Sequence, residues 1–219
     1  MDSIANKNAK ISKTIHLIRH GQTDFNKQNI IQGSGINSDL NDTGKRQAEL
    51  FFKSHQFNPY SRIYTSKLNR SIQSVEPFIK KGIPHTELEA LNEINWGIME
   101  GRAGSPENAA LYNEIVSQWS SGNLDLAIEN GESPNSMYNR QKTGLEHIMS
   151  REEEEFVLIC MHGRALRSFL CLLTNTPLKD MEQWHHHNLC LYELAYNGSH
   201  FDIVKANDVS HLNEINSFQ

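Results

Sequence analysis

Two apolar runs each close on a histidine-glycine pair: His16-Leu17-Ile18-Arg19-His20-Gly21 and Leu158-Ile159-Cys160-Met161-His162-Gly163. A neutral imidazole nitrogen is nucleophilic near neutral pH, so either histidine could attack an electrophile such as phosphorus. Arg19 adds a fixed cation beside His20, and its planar fork matches phosphate oxygens. Arg70 is a second such cation. Glycine after each histidine lets the backbone approach an anion and offer its N–H. Two histidines, two arginines and an anion-seeking backbone point to phosphoryl transfer, with the arginines stabilising charge on the equatorial oxygens. A leaving alkoxide needs a proton. Glu93 is the candidate acid, because it follows an apolar stretch and precedes the Trp96-Gly97 turn.

These residues must be brought to one place. Thr14 to Ile18, Arg62 to Thr65 and Phe156 to Met161 read as short buried strands, each followed by a helix. The helices begin near Asn41, Ser66 and Arg164, with others from Pro106 to Trp119 and from Ser133 to about Ser150, where Ser133 is the N-cap and Pro134 the first helical residue. A final strand pair turns at Asn197-Gly198. Alternating strands and helices predict an α/β fold, a mostly parallel central sheet covered on both faces. The strand ends then carry His20 and His162 to the carboxyl edge of the sheet, where ligands bind in open α/β folds. If the two strands are neighbours, both histidines face one crevice. Gly163 also opens a helix, whose N-terminus favours an anion.

The whole chain narrows the options. It has 219 residues and a formal net charge of −5, with a pI of about 6.1. A chain of this length suits one domain, 13–219, after a polar tail, 1–12, with 100–132 as a helical cover over the site. No general basic surface suggests nucleic acid or membrane as a partner. The polar N-terminus and the absence of a long apolar run predict a cytoplasmic protein. The three cysteines, Cys160, Cys171 and Cys190, read as buried reduced thiols. His185-His186-His187 reads as a helix end or loop, since three consecutive side chains do not converge on one ion from regular structure. The acidic run Glu152 to Glu155 reads as solvated. The oligomeric state is left open, a homodimer among the alternatives.

The combination of motifs resembles the histidine phosphatase superfamily, also called the phosphoglycerate mutase-like family. Arg19-His20-Gly21, Thr23 and Asn26 fit its RHGxTxxN signature; Gln32-Gly33 fits the following loop, and Leu40 to Ala48 its first helix. Ser66 to Arg70 resembles its S-x-L-x-R helix start, Leu91 to Gly101 its acid-bearing loop, and Gly131-Glu132-Ser133 and Met161-His162-Gly163 complete the set. The likeness spans about residues 14–205. It implies a three-layer α/β/α sandwich and no metal or organic cofactor. It implies His20 as nucleophile, Glu93 as proton donor and then base, and Arg19, Arg70 and His162 as ligands of the transferring phosphoryl group. Asn26, Thr23, Gln32, Gly33 and the Gly163 backbone are the further phosphate or substrate contacts.

Thr23 and Gly163 depart from the acid phosphatase and phytase branch, and the interval from Glu93 to His162 looks more like the phosphatase members of the mutase-like branch than the cofactor-dependent mutases. The expected activity is a phosphomonoesterase acting on a small metabolite phosphate ester. The alternatives are a cofactor-dependent phosphoglycerate mutase and a non-catalytic phospho-ligand binding protein. Sugar phosphates, the nucleotide-loop phosphate of cobalamin synthesis and phosphoserine are candidate substrates. Arg164 departs from the small or apolar residue common after His-Gly, and a solvent-facing position is favoured for it over the pocket rim. Trp96, Met99, Arg102, Tyr112 and Trp119 could wall the pocket, though core packing is favoured for most.

Overall fold

The computed structural model describes residues 12–102 and 104–213. Residues 1–11 of the expected polar tail, residue 103 of the expected cover and residues 214–219 lie outside the described residues. Six strands form one sheet: β1 (Lys13–Arg19), β2 (Arg62–Thr65), β3 (His85–Glu87), β4 (Phe156–Met161), β5 (Leu191–Tyr196) and β6 (Phe201–Asp208). Their order is β3-β2-β4-β1-β5-β6. The β3-β2-β4-β1 part is parallel. β5 and β6 complete it as an antiparallel pair, β5 running against β1. β3 is only three residues long and has no apolar run, so the hydrophobic pattern gave no sign of it.

Side chains alternate between two cores, as the period of two requires. Ile15 and Leu17 of β1 and Val157, Ile159 and Met161 of β4 pack with α4 (Pro106–Ser120), α5 (Pro134–Met149) and α6 (Gly163–Thr174). Ile18, Ile63, Leu158 and Cys160 point the other way, onto α2 (Asp42–His55) and α3 (Asn69–Lys80) through Leu50, Phe51, Val75 and Phe78. This is the three-layer α/β/α sandwich expected from the strand-helix alternation. Each such fully buried aliphatic or aromatic side chain contributes on the order of 1.5–3 kcal/mol.

Local sequence sets the helix ends. Ser133 accepts a hydrogen bond from the Ser136 N–H and Pro134 occupies the first turn of α5. Asn41 accepts from the Gly44 N–H at the start of α2, 2.9 Å away. Asn175, at φ 53°, ends α6 in the left-handed region that asparagine tolerates. The long polar loop after β1 contains a short helix, α1 (Asp24–Lys27), closed by a reciprocal capping box between Thr23 and Asn26. α3 starts at Asn69, three residues later than its apolar spacing suggested, because Leu68 stays extended and its N–H donates to Ser66 Oγ at 3.1 Å.

One acidic residue was misread. Glu152, Glu153 and Glu155 are exposed, but Glu154 is buried. Its carboxylate accepts from Arg62 and from the Tyr64 hydroxyl, and its backbone carbonyl accepts from the Lys13 ammonium. Glu154 thereby ties together the ends of three adjacent strands, β2, β4 and β1.

Candidate active site

The strand ends deliver the predicted residues in a row. β1 and β4 are direct neighbours, with Arg19 opposite Met161, so His20 and His162 each stand one step beyond a paired strand. The His20 N–H donates to the Met161 carbonyl at 3.0 Å. The two imidazole rings lie 5.1 Å apart, centre to centre. Thr65 of β2 pairs with Cys160 of β4, which sets Ser66 beside His162.

His20 is buried and its protonation is directed. Its Nδ1 donates to the Gly21 carbonyl at 2.7 Å, so the lone pair is left on Nε2. Burial first, and then the charges of Arg19 and Arg70, hold its pKa well below the ordinary imidazole value. A neutral, fixed imidazole is what nucleophilic attack requires. The loop is anchored by the Gly21 N–H, which donates to Ser74 Oγ of α3 at 2.9 Å.

Behind His20 lies a second, fully buried layer. Arg70 donates from Nε to His162 Nδ1 at 3.1 Å, from Nη1 to the Ile36 carbonyl at 2.7 Å and from Nη2 to the Gly33 carbonyl at 3.1 Å. His162 Nε2 pairs with Ser66 Oγ at 2.7 Å. With Nδ1 accepting, the Nε2–H is the donor in that pair. Burial and the neighbouring Arg70 hold His162 neutral as well. Arg70 and His162 therefore sit beneath His20 rather than on the cavity wall, their polar atoms largely committed to the protein. At Gly33 a Cβ would lie on the Glu100 carboxylate and 2.5 Å from the Ile94 carbonyl. That glycine lets the loop pack against the acid-bearing segment and present its carbonyl to Arg70.

The cavity in front of His20 has a volume of about 620 Å³, and Arg19, Asn26, Gln32, Glu93 and Gly163 also line it. Among the described residues Arg19 Nε has no hydrogen-bond partner. Asn26 Oδ1 accepts from the Thr23 N–H at 3.2 Å and from Asn188 Nδ2 at 3.2 Å, which turns its Nδ2 donor outward. Thr23 is buried, its hydroxyl accepting from Gln32 Nε2 at 2.7 Å and from the Asn26 N–H at 3.1 Å. It orders the loop. A Cβ on Gly163 would lie 3.0 Å from the His186 ring and 3.6 Å from Arg19 Nε, so only glycine keeps the start of α6 open to an anion.

Glu93 is fastened to the same helix. Its Oε1 accepts from the Ala165 N–H at 2.8 Å and from its neighbour Ile94 at 2.9 Å, and its Oε2 accepts from the Arg164 N–H at 3.0 Å. The carboxylate thus satisfies two of the unpaired donors of the first turn of α6.

Several residues were not found from the sequence. Asn188 donates to the His20 carbonyl at 3.0 Å as well as to Asn26. His186 lies 3.4 Å from Arg19 Nη1 through its Nδ1. Both belong to the loop before β5, which returns to the site only because β5 runs antiparallel to β1. Burial, then Arg19, Arg167 and Arg164, push the His186 pKa down to about 2. The histidine triplet is a loop whose members diverge: His185 is exposed, His186 faces the cavity and His187 reaches Asn207. Arg164 corrects the solvent-facing expectation. It is 6% exposed and lines the cavity. Its guanidinium lies 5.7 and 5.5 Å from the centres of the Trp96 and Trp119 rings. Trp96, Met99, Arg102 and Tyr112 also face the cavity, while Trp119 packs behind Trp96 in the core.

Residues 15–209 match the model of the histidine phosphatase superfamily, branch 1. The chain belongs to that superfamily. It is 26% identical over 199 residues to phosphoserine phosphatase 1 of Hydrogenobacter thermophilus, an overlap of 90% of this chain and 93% of that protein. It is 28% identical over 212 residues to phosphoglycerate mutase-like protein 4 of Arabidopsis thaliana, covering 94% and 89% of the two chains. Among solved structures, YhfR of Bacillus stearothermophilus superposes with a TM-score of 0.79 at 27% identity, over 91% of this chain and 99% of that one. No helix among the described residues is long and apolar enough to cross a membrane.

Proposed function

We propose that this member of the superfamily hydrolyses phosphomonoesters of small metabolites through a phosphohistidine on His20. One observation carries the reading: His20, neutral and with Nδ1 tied to the Gly21 carbonyl, stands at a cavity that also holds Arg19 and Glu93. His20 Nε2 attacks phosphorus and the ester P–O bond breaks. Arg19, Asn26 Nδ2 and the Gly163 N–H receive the phosphoryl oxygens, while Arg70 supplies buried charge from beneath and the neutral His162 holds Arg70 in place. Glu93 gives its proton to the departing alkoxide. In the second half a water attacks phosphorus, Glu93 takes its proton, the P–N bond breaks and phosphate leaves.

The segment 100–132 acts as the cover of the cavity, with Asn108, Ala109, Tyr112 and Asn113 of α4 on its wall. The name of the Hydrogenobacter thermophilus relative, phosphoserine phosphatase 1, supports hydrolysis. The three cysteines, free and buried, agree with a cytoplasmic setting.

The test is phosphate release from p-nitrophenyl phosphate with EDTA present, beside His20→Ala. The expected result is metal-independent release that falls by several orders of magnitude in the variant. Full activity in His20→Ala removes the nucleophile assignment. Rapid exchange between 3- and 2-phosphoglycerate, with bisphosphoglycerate added, replaces the phosphatase reading by the mutase reading.

A further inference from the structure

The cavity carries more positive charge than one phosphoryl group needs. Beyond Arg19, two arginines of α6, Arg164 and Arg167, line it. They stand three residues apart, on one face of the helix. Glu182 pairs with a guanidinium nitrogen of each, so one carboxylate faces two cations and the trio keeps a net positive charge. The two arginines are not equivalent. Both terminal nitrogens of Arg164 are engaged: the second donates to the Tyr112 hydroxyl at 2.8 Å, and the guanidinium lies 5.7 and 5.5 Å from the centres of the Trp96 and Trp119 rings. Arg167 is engaged less: among the described residues its one protein partner is Glu182, and its Nε is buried with no acceptor. A buried guanidinium N–H without an acceptor costs free energy that a ligand oxygen would recover.

We infer that Arg167 receives a second anionic group on the substrate, with Glu182 and the clamped Arg164 as the positioning residues behind it. This rests on the phosphatase reading of the His20 pocket and narrows it to phosphate esters that carry a carboxylate or a second phosphate a few ångströms from the ester. The neighbouring His186 marks how close the two anion sites lie. It touches Arg19 on one side, and its charged form is opposed by Arg19, Arg167 and Arg164 together. Trp96 and Met99 give the same cavity an apolar wall, which suits a short carbon linker.

The experiment uses 3-phosphoglycerate and glycerol 3-phosphate, which differ by a carboxylate in place of a hydroxymethyl group. Their dissociation constants are measured by calorimetry on the full-length His20→Ala protein, where neither is turned over. The inference predicts that 3-phosphoglycerate binds about 10- to 100-fold more tightly, the range of a charge-assisted hydrogen bond. The ratio falls toward one when Arg167→Gln is added and is largely kept with Arg167→Lys. Fructose 1,6-bisphosphate against fructose 6-phosphate reads the same ratio for a second phosphate and tells which anion is preferred. Equal binding within both pairs overturns the inference with no variant needed. So does an Arg167→Gln protein that keeps the preference. A preference without turnover by the wild type leaves the inference standing and removes the phosphatase reading. Turnover without a preference does the reverse.

Discussion

The Glu93 carboxylate accepts the backbone N–H groups of Arg164 and Ala165, at 3.0 and 2.8 Å. The candidate acid is therefore built into the helix that opens directly after His162, and Glu93 and Gly163 cannot move independently. The acid-bearing loop and the second His-Gly segment are far apart in sequence, yet they form one rigid part of the site.

Replacing Glu93 tests its role through the leaving group. Glu93→Gln is expected to lower kcat on an alkyl phosphate by roughly 10²- to 10⁴-fold. The loss on p-nitrophenyl phosphate should be much smaller, because nitrophenolate departs without a proton. Steady-state kinetics on both substrates gives the comparison, and equal losses would make Glu93 a structural residue only.

His20 is expected to remain neutral across the physiological range. Its pKa lies well below the usual value, through burial and then Arg19 and Arg70. A depressed imidazole pKa means protonation only at lower pH, so its NMR signals in the free enzyme should show no midpoint near the ordinary imidazole value of about 6.5. A midpoint near 6.5 would show a solvated ring.

Arg70 tests the buried layer. Lysine keeps the charge but cannot reach His162 Nδ1, the Ile36 carbonyl and the Gly33 carbonyl together. Arg70→Lys is expected to cost at least about 3 kcal/mol of stability, from two lost charge-assisted bonds. It should also lower kcat/KM at least roughly 100-fold. Urea unfolding and kinetics on one preparation check both; an unchanged kcat/KM would confine Arg70 to the fold.

A second histidine cluster, away from the site, contributes to the acid stability. Burial pushes the His16 pKa down to about 3 and that of His211 to about 4. Below about pH 6.5 the unfolded chain binds protons that the folded protein refuses. Stability therefore falls as pH drops from about 6.5 toward the folded values, by about 1.4 kcal/mol per pH unit for each such histidine. His211 packs edge-on against Phe51, 5.1 Å between centres, and His211→Phe should flatten this limb by one proton's worth. Urea midpoints from pH 7 to 5 give the slope, and an identical slope in the variant would exclude His211.

Much of this arrangement was readable from residues alone. The two His-Gly strand ends, the Ser133-Pro134 helix start and the apolar β4 each carry a local pattern, and each stands where the pattern put it. What escaped has no local signature. Asn188 and His186 come to the site through the antiparallel return of β5 along β1, a long-range pairing. Arg164 reads as a surface residue until Trp96, Trp119, Tyr112 and Glu182 are seen around it. Glu154 likewise sits in an acidic run and is buried only because Arg62 and Tyr64 meet it. Buried charge depends on partners, and partners are set by the fold.

The central claim is the covalent intermediate, and rapid quenching tests it most directly. Wild-type protein is mixed with a phosphomonoester, denatured in alkali, where phosphohistidine survives, and mapped by mass spectrometry. The account predicts one added phosphoryl group on His20, absent from His20→Ala and lost when the sample is acidified. A phosphoryl group on any other residue would contradict it, as would multiple turnover with no phosphoenzyme on the quench timescale and an undiminished rate in His20→Ala.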